Sequence, residues 1–363
     1  MNGERIRLAR KKAGLSLRDL AAKMEGLVSA QAIGKYERGE MAPGSEVSLA
    51  LSKALGVSMY YLSAPQQVEL GELEFRTKAN TSAKDRARVE TEVLEWVERY
   101  LQIEEILGEG GGWKAPEGMP RRISSLEEAE DLAEELRHSW DLGIDPIVNM
   151  TELLEEGGIK TLLADLPGKV SGFTCLVKSG RGEQKTPVIV VNRGQTLERR
   201  RFNMAHELGH RVIDSESVGE MEKLCHRFAG GFLVNRRHLM KEIGQRRSAL
   251  GVREILDLKR HYRVSAAALL LRLQQTGILG RRTVQKAFQT FARQWRSVEP
   301  EPLEDPEDKP SRDEEPRRFE RLVYRAAAED MISLSKAVEL LRAPLAEVEA
   351  GLRGVAHADN RRR

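Results

Sequence analysis

Two histidines and a glutamate stand in the arrangement His206-Glu207-x-x-His210. Residues four apart on a helix lie on one face, so the two imidazoles would be close enough to hold one cation. A zinc ion held by two imidazoles and a third protein ligand keeps a fourth position open, and it lowers the pKa of water there towards about 7. Glu207 could take the proton from that water. The motif therefore predicts a hydrolytic zinc site with Glu207 as general base.

The third ligand must come from a later part of the chain, where SVGEMEKLCHRFAGGFLV follows the motif. Glu222 would complete a set of two histidines and one glutamate, while Glu216 and Glu220 are competing candidates. His226 stands four residues after Glu222, so both could face one site on a predicted helix. Three roles stay open for His226: orienting a ligand, donating a hydrogen bond in the transition state, or lying on the surface. Cys225 is interpreted as a small buried residue rather than a ligand.

Short strands followed by helices surround the motif, which is the order of an α+β domain. Alternating and 3.6-residue apolar periods distinguish the two kinds of element. Strands are expected at 159–163, 172–177 and 187–191, and helices at 82–107, 126–140, 146–157, 196–213, 217–234 and 236–275.

The stretch around the motif resembles the ImmA/IrrE family of metallo-endopeptidases. The similarity is carried by PVIVVN (187–192), RRRFNMAHELGH (199–210) and the run from Glu222 to Val234, together with 154–174 and 326–341. The resemblance implies a zincin-like fold with a small sheet, and Zn²⁺ as cofactor. It also implies a substrate class: helix-turn-helix repressors, cleaved to derepress phage, mobile-element or stress genes.

The same resemblance implies roles for individual residues. His206, His210 and Glu222 would be the zinc ligands, and Glu207 the general base. The chain departs from the family at Cys225-His226, where the family usually carries Ala-Asn. This departure lies beside the site and leaves the ligands intact.

The first 65 residues favour five short helices and a DNA-binding role. They carry ten Lys/Arg against six Asp/Glu, whereas the whole chain has a net charge of only +3. They resemble the XRE-type phage-repressor helix-turn-helix family through GLSLRDLA (14–21), SAQAIGKYERG (29–39) and LSKALGVSMYYL (51–62). The resemblance implies that the third helix enters the major groove of an operator. The candidate DNA contacts are Arg18, Ser29, Ala30, Gln31, Gly34 and Lys35. The alternative is a dimerisation or docking module, because a fold does not dictate its function.

A length of 363 residues suits two or three domains, and the helical periods indicate a mainly α protein. The expected divisions are 1–65 (helix-turn-helix), 66–122 (helical linker), 123–297 (peptidase-like), 298–318 (disordered acidic and Pro-rich linker) and 319–353 (C-terminal helices). We interpret the C-terminal helices as packing on the peptidase core in preference to forming a second helix-turn-helix. Two cysteines and no apolar run of roughly 20 residues favour a cytoplasmic protein without a membrane segment.

Two functional hypotheses follow. The first is a zinc endopeptidase fused to a DNA-binding domain, which cleaves a regulatory protein. The second is a DNA-binding regulator or antitoxin-like protein whose peptidase-like domain serves as a sensor or scaffold with little turnover. The intact Glu207 favours the first, and the departure at Cys225-His226 favours the second. The oligomeric state stays open, although repressor-type helix-turn-helix domains usually bind two operator half-sites as homodimers.

Overall fold

The computed structural model describes residues 1–57, 59–63, 68–70, 82–110, 112–113, 115–167, 170–179, 185–215, 217–304 and 314–353. The candidate ligand Glu216 lies outside them. The helices are α1 (Gly3–Lys12), α2 (Leu17–Lys23), α3 (Ala30–Glu37), α4 (Ser45–Leu55), α5 (Met59–Ser63), α6 (Ala83–Leu107), α7 (Leu126–Ser139), α8 (Met150–Glu156), α9 (Leu197–Val212), α10 (Val218–Leu233), α11 (Arg236–Ile243), α12 (Val252–Tyr262), α13 (Ala266–Gln275), α14 (Arg281–Gln289), α15 (Arg318–Ala328), α16 (Leu334–Leu341) and α17 (Leu345–Leu352). The strands are β1 (Val68–Leu70), β2 (Arg121–Arg122), β3 (Lys160–Ala164), β4 (Gly172–Ser179), β5 (Lys185–Asn192) and β6 (Ile213–Asp214).

Two compact units make up the chain. The first comprises Met1–Gly112, Cys175–Pro187 and Arg317–Arg363, and the second comprises Trp113–Thr174 and Val188–Pro316. The boundary falls within β4 and β5. Among the described helices, none combines the length and apolar character that a membrane crossing needs.

The first unit contains the five N-terminal helices, as the sequence predicts. The apolar faces of these helices pack together in one cluster. Its fully buried members are Ile6, Leu20, Ile33, Leu51 and Leu62. A capping box joins Ser16 and Asp19 at the start of α2. At the start of α3, the Ser29 hydroxyl accepts a hydrogen bond from the backbone N–H of Ala32 at 3.1 Å.

A buried carboxylate on α6 joins three parts of this unit. Glu95 accepts hydrogen bonds from Lys12 on α1, from Tyr61 on α5 at 2.9 Å, and from Arg342 beyond α16 at 2.6 Å. Burial alone would raise the pKa of Glu95, but the charges of Arg342 and Lys12 outweigh it and hold that pKa below its usual value. Helix α15 also packs against α6. The C-terminal helices thus belong to this unit, which corrects the expectation that they pack on the peptidase core.

The second unit is an α+β assembly. Its β3 and β5 are parallel, with Lys160 opposite Val188 and Ala164 opposite Asn192. In this unit β2 pairs with β6, whereas β1 pairs antiparallel with the part of β4 that belongs to the first unit. The apolar run of β5 is buried, as expected for a strand covered on both faces. Helix α10 packs against both α9 and α7, and this contact builds the core beneath the motif.

Several elements differ from the sequence-based expectation. The long helix expected at 236–275 is three helices, because Gly244 takes a positive φ of 90° and Arg263 takes one of 53°. Helix α8 begins at Met150 rather than at Pro146, and the carbonyls of the residues before it accept hydrogen bonds from Arg201. Helix α14, β1, β2 and β6 were not expected.

Residues 298–304 and 314–316 of the expected linker are bound to the second unit rather than disordered. Four consecutive residues at the start of α9 hold this segment or Arg296, two residues before it. These bonds are Leu303 N–H to Glu198 (2.9 Å), Arg199 to the carbonyl of Arg296 (2.6 Å), Arg200 to Glu304 (2.7 Å) and Arg201 to Glu314. The acidic residues that suggested disorder therefore serve as partners for buried cations. Residues 305–313 lie outside the described part of the chain.

Candidate metal centre

Three side chains from two helices converge in the second unit. His206 and His210 lie one turn apart on α9, and Glu222 lies on the facing side of α10. The Nε2 atoms of the histidines are 3.2 Å apart. A carboxylate oxygen of Glu222 lies 3.4 Å from Nε2 of His206, and the other lies 3.5 Å from Nε2 of His210. Within the described residues, this is the group of ligand-type side chains whose donor atoms all fall within 4.8 Å of one another.

These distances fit a tetrahedral zinc ion. Nitrogen and oxygen ligands lie about 2.0–2.2 Å from zinc, so two ligands at a tetrahedral angle are about 3.3–3.6 Å apart. The three measured separations agree with that spacing to about 0.1 Å. Two imidazole nitrogens and one carboxylate are also a donor set that zinc prefers. The structure therefore brings together the three residues that the family resemblance implies as ligands.

The surroundings of Glu222 favour its ionised form. Hydrogen bonds with His206 and then His210 hold the pKa of the Glu222 carboxyl well below its usual range, although partial burial acts in the opposite direction. An ionised carboxylate is the form that ligates a metal. The competing candidate Glu220 is exposed and its backbone N–H is capped by Ser217, so its side chain stays at the start of α10.

The close approach of α9 and α10 depends on a small residue in the motif. A Cβ atom built on Gly209 would lie 3.2 Å from both Cβ and Sγ of Cys225. The sequence suggests that Gly209 keeps bulk away from the metal. In the structure, Gly209 instead makes room for α10, which carries Glu222 to the histidines.

Cys225 is fully buried, as expected, and it also contacts the candidate ligand His210. Its Sγ atom lies 3.5 Å from Nδ1 of His210. Metal-binding histidines usually donate their second ring N–H to a carboxylate, carbonyl or water, which fixes the tautomer. Here a thiol, a weak acceptor, occupies that position.

The Cys225→Ala variant is expected to lower zinc affinity by about tenfold. Loss of such partners typically costs 10–100-fold, and the weak sulfur contact places this case near the lower limit. Competition with a chromophoric chelator would measure the change. Cys175→Ala, which removes the other buried thiol, is the matched control and should leave affinity unchanged. Equal affinities in the two variants would show that Cys225 only fills space.

His226 lies against the ligands. Its ring centroid is 4.4 Å from that of His206 and 5.8 Å from that of Phe202. Its Nδ1 lies 2.7 Å from the carbonyl oxygen of Glu222. A carbonyl can only accept, so Nδ1 carries a proton, and Nε2 donates a hydrogen bond only in the imidazolium form. His226 is exposed, as the surface interpretation expects, and its ring also meets the ring of His206 edge to face.

Glu207 is buried next to His206 in the motif, and its side chain lies close to Gly172 at the start of β4. A Cβ atom built on Gly172 of β4 would lie 3.8 Å from Cγ of Glu207 and 2.8 Å from the carbonyl oxygen of Val190. Only glycine therefore fits at position 172 without displacing β5. The sequence motifs do not point to Gly172, although a glycine at the start of a strand can signal a close approach of backbone.

The candidate DNA contacts lie on or near α2 and α3. Arg18, Gln31 and Lys35 are exposed, as is the cap residue Ser29, and Ala30 is half-buried. Gly34 differs from the expectation, because it is buried where α3 meets Leu17 and the side chain of Arg38. The exposed surface is thus formed by the long side chains rather than by the backbone at Gly34.

Comparison with protein families assigns both regions. A family model described as a helix-turn-helix matches residues 6–62, and a peptidase family model described as the IrrE N-terminal-like domain matches residues 154–274. The chain joins a helix-turn-helix domain to an IrrE-like domain. The IrrE-like match contains His206, His210 and Glu222, and it ends within α13. No curated protein matches the chain.

Proposed function

We propose that the protein is a zinc-dependent endopeptidase fused to a DNA-binding domain, and that it cleaves a helix-turn-helix repressor to regulate transcription. The observation that carries the proposal is the spacing of 3.2, 3.4 and 3.5 Å among the donor atoms of His206, His210 and Glu222. The IrrE-like match supports a peptidase-type domain around them. The helix-turn-helix match supports DNA as the partner of residues 1–65.

Glu207 and His226 would each have a separate role in the reaction. When bound, zinc supplies Lewis acidity, which polarises a peptide carbonyl and makes water more acidic. Glu207 accepts the proton of the attacking water and passes it to the leaving amine. His226, held beside His206 by its bond to the carbonyl of Glu222, stabilises developing negative charge when its Nε2 is protonated.

Zinc content tests the metal part of this proposal. The purified wild type is expected to hold one zinc ion per chain, and His206→Ala and Glu222→Ala should each lose it, because three protein ligands are the minimum for a tight site. Elemental analysis after dialysis would measure this. Glu220→Ala, on the same helix, is the matched control and should retain zinc. Retention of zinc in Glu222→Ala would place the third ligand elsewhere and contradict the proposed set.

The second candidate is a DNA-binding regulator in which the IrrE-like domain acts as a sensor or scaffold. The position of His226 favours it, because its ring lies 4.4 Å from that of His206, at a position where the family usually has a smaller asparagine. Bound zinc is compatible with both candidates, so zinc in the wild type does not separate them. The activity of a Glu207 variant does.

A further inference from the structure

A strongly basic surface lies on the second unit, on elements other than those that carry the candidate metal ligands. No Asp or Glu occurs between Leu258 and Val298. Within this stretch, α14 and the turn after it carry five exposed cations: Arg281, Arg282, Lys286, Arg293 and Arg296. We call these five residues the α14 basic surface.

The nearby acidic residues do not neutralise this surface. Glu299 pairs with the buried Lys259 at 3.0 Å, and Glu304 pairs with Arg200 at 2.7 Å. Glu301 pairs with Arg260. Among the described residues, no carboxylate forms an ion pair with any of the five cations of the α14 basic surface. Their charge is therefore uncompensated within the part of the chain that the structure describes.

The placement of these cations works against the stability of α14. Arg281 and Arg282 occupy the first turn, where the helix dipole favours acidic residues, and this turn contains none. Arg282 and Lys286 are four apart, so two like charges share one face of the helix and repel each other. Arg296 lies over the ring of Phe288 at 4.4 Å, which holds its charge at the surface. An arrangement that folding disfavours indicates an anionic partner.

We infer that the α14 basic surface binds the phosphate backbone of duplex DNA. Duplex DNA is the polyanion that the helix-turn-helix domain of the same chain would bring to the protein. Phosphate contacts from Lys and Arg supply affinity without sequence preference. The surface would thus add a second, sequence-independent contact to the one made by residues 1–65. The inference does not rest on zinc or on peptidase activity.

The test compares the full chain with a variant that carries Arg281→Gln, Arg282→Gln, Lys286→Gln and Arg293→Gln. Fluorescence anisotropy with a duplex of about 30 base pairs and arbitrary sequence, at several salt concentrations, gives the slope of log affinity against log salt. Each lost phosphate contact lowers that slope by about 0.9, so we expect the variant to lose about 2–4 units. Affinity at low salt should fall at least tenfold.

A matched variant separates a local surface from total charge. Arg237→Gln, Arg247→Gln, Arg253→Gln and Arg260→Gln remove the same charge from the same unit, but each of these exposed arginines pairs with a carboxylate. This control should keep most of the wild-type slope. Equal slopes for the wild type and the α14 variant would overturn the inference, as would an equal loss in the control. An effect seen only with a single-stranded oligonucleotide of the same length would also overturn it.

Discussion

Replacing Glu207 with Gln is expected to lower peptidase activity by about 10²–10⁴-fold while leaving one zinc ion per chain. General bases contribute rate factors of that size, and an amide cannot accept the proton of the attacking water. Glu207 is not among the three converging donor groups, so the metal should stay bound. Activity would be measured as new amino termini, counted by mass spectrometry, in a peptide mixture and in a purified helix-turn-helix repressor.

Glu220→Gln provides the comparison for this experiment. It makes the same chemical change on α10, at an exposed residue outside the donor group, and activity should stay within about twofold. If Glu207→Gln and Glu220→Gln cleave equally well, Glu207 is not the general base. If neither the wild type nor the variants cleave but all of them hold zinc, the sensor or scaffold hypothesis replaces the endopeptidase.

Replacing Glu314 with Ala is expected to destabilise the second unit by about 3–5 kcal/mol. Glu314 and Arg201 form an ion pair in which neither side chain is exposed to solvent. Burial already lowers the pKa of Arg201, and Glu314 opposes that effect. Glu314 also accepts hydrogen bonds from the backbone N–H groups of Met150 and Thr151 at 3.0 and 3.1 Å, at the start of α8. The variant would leave a buried cation and this helix end without their acidic partner.

Urea denaturation, followed by tryptophan fluorescence, would measure the loss. Glu315→Ala, the adjacent position, is the control and should change the free energy of unfolding by less than about 1 kcal/mol. The double variant Arg201→Met with Glu314→Gln should lose less than Glu314→Ala, because it removes the buried charge together with its partner. An unchanged midpoint for Glu314→Ala would mean that 314–316 does not hold α9 in solution.

Part of the convergence of His206, His210 and Glu222 was predictable, because the two histidines follow a short-range pattern. A spacing of four residues places His206 and His210 on one face of any helix. Glu222 required more, since spacing alone left three glutamates open, the family resemblance implied Glu222, and the packing of α10 on α9 places it at the histidines. The roles of Gly172 and Gly209 were not predictable, because each depends on an atom of another element.

The acidic segment after α14 shows a limit of compositional reasoning. Pro and acidic residues with few apolar side chains indicate disorder when they are solvated. Here Glu299, Glu304 and Glu314 meet Lys259, Arg200 and Arg201, and each of these cations is buried. Composition does not report whether a carboxylate has a cationic partner more than 100 residues away, as Glu304 and Glu314 have.

By itself, the sequence determined the five-helix head, the strands and helices around the motif, and two of the three candidate ligands. Each of these depends on periodicity or capping within about 20 residues of chain. The tertiary structure was needed to show that Glu222 lies at the histidines, which atom lies behind His210, and where the C-terminal helices pack. It also decided that α14 keeps its positive charge uncompensated among the described residues, because the acidic residues that follow it bind elsewhere. These outcomes depend on contacts between elements that are distant in the chain, and no local pattern encodes such contacts.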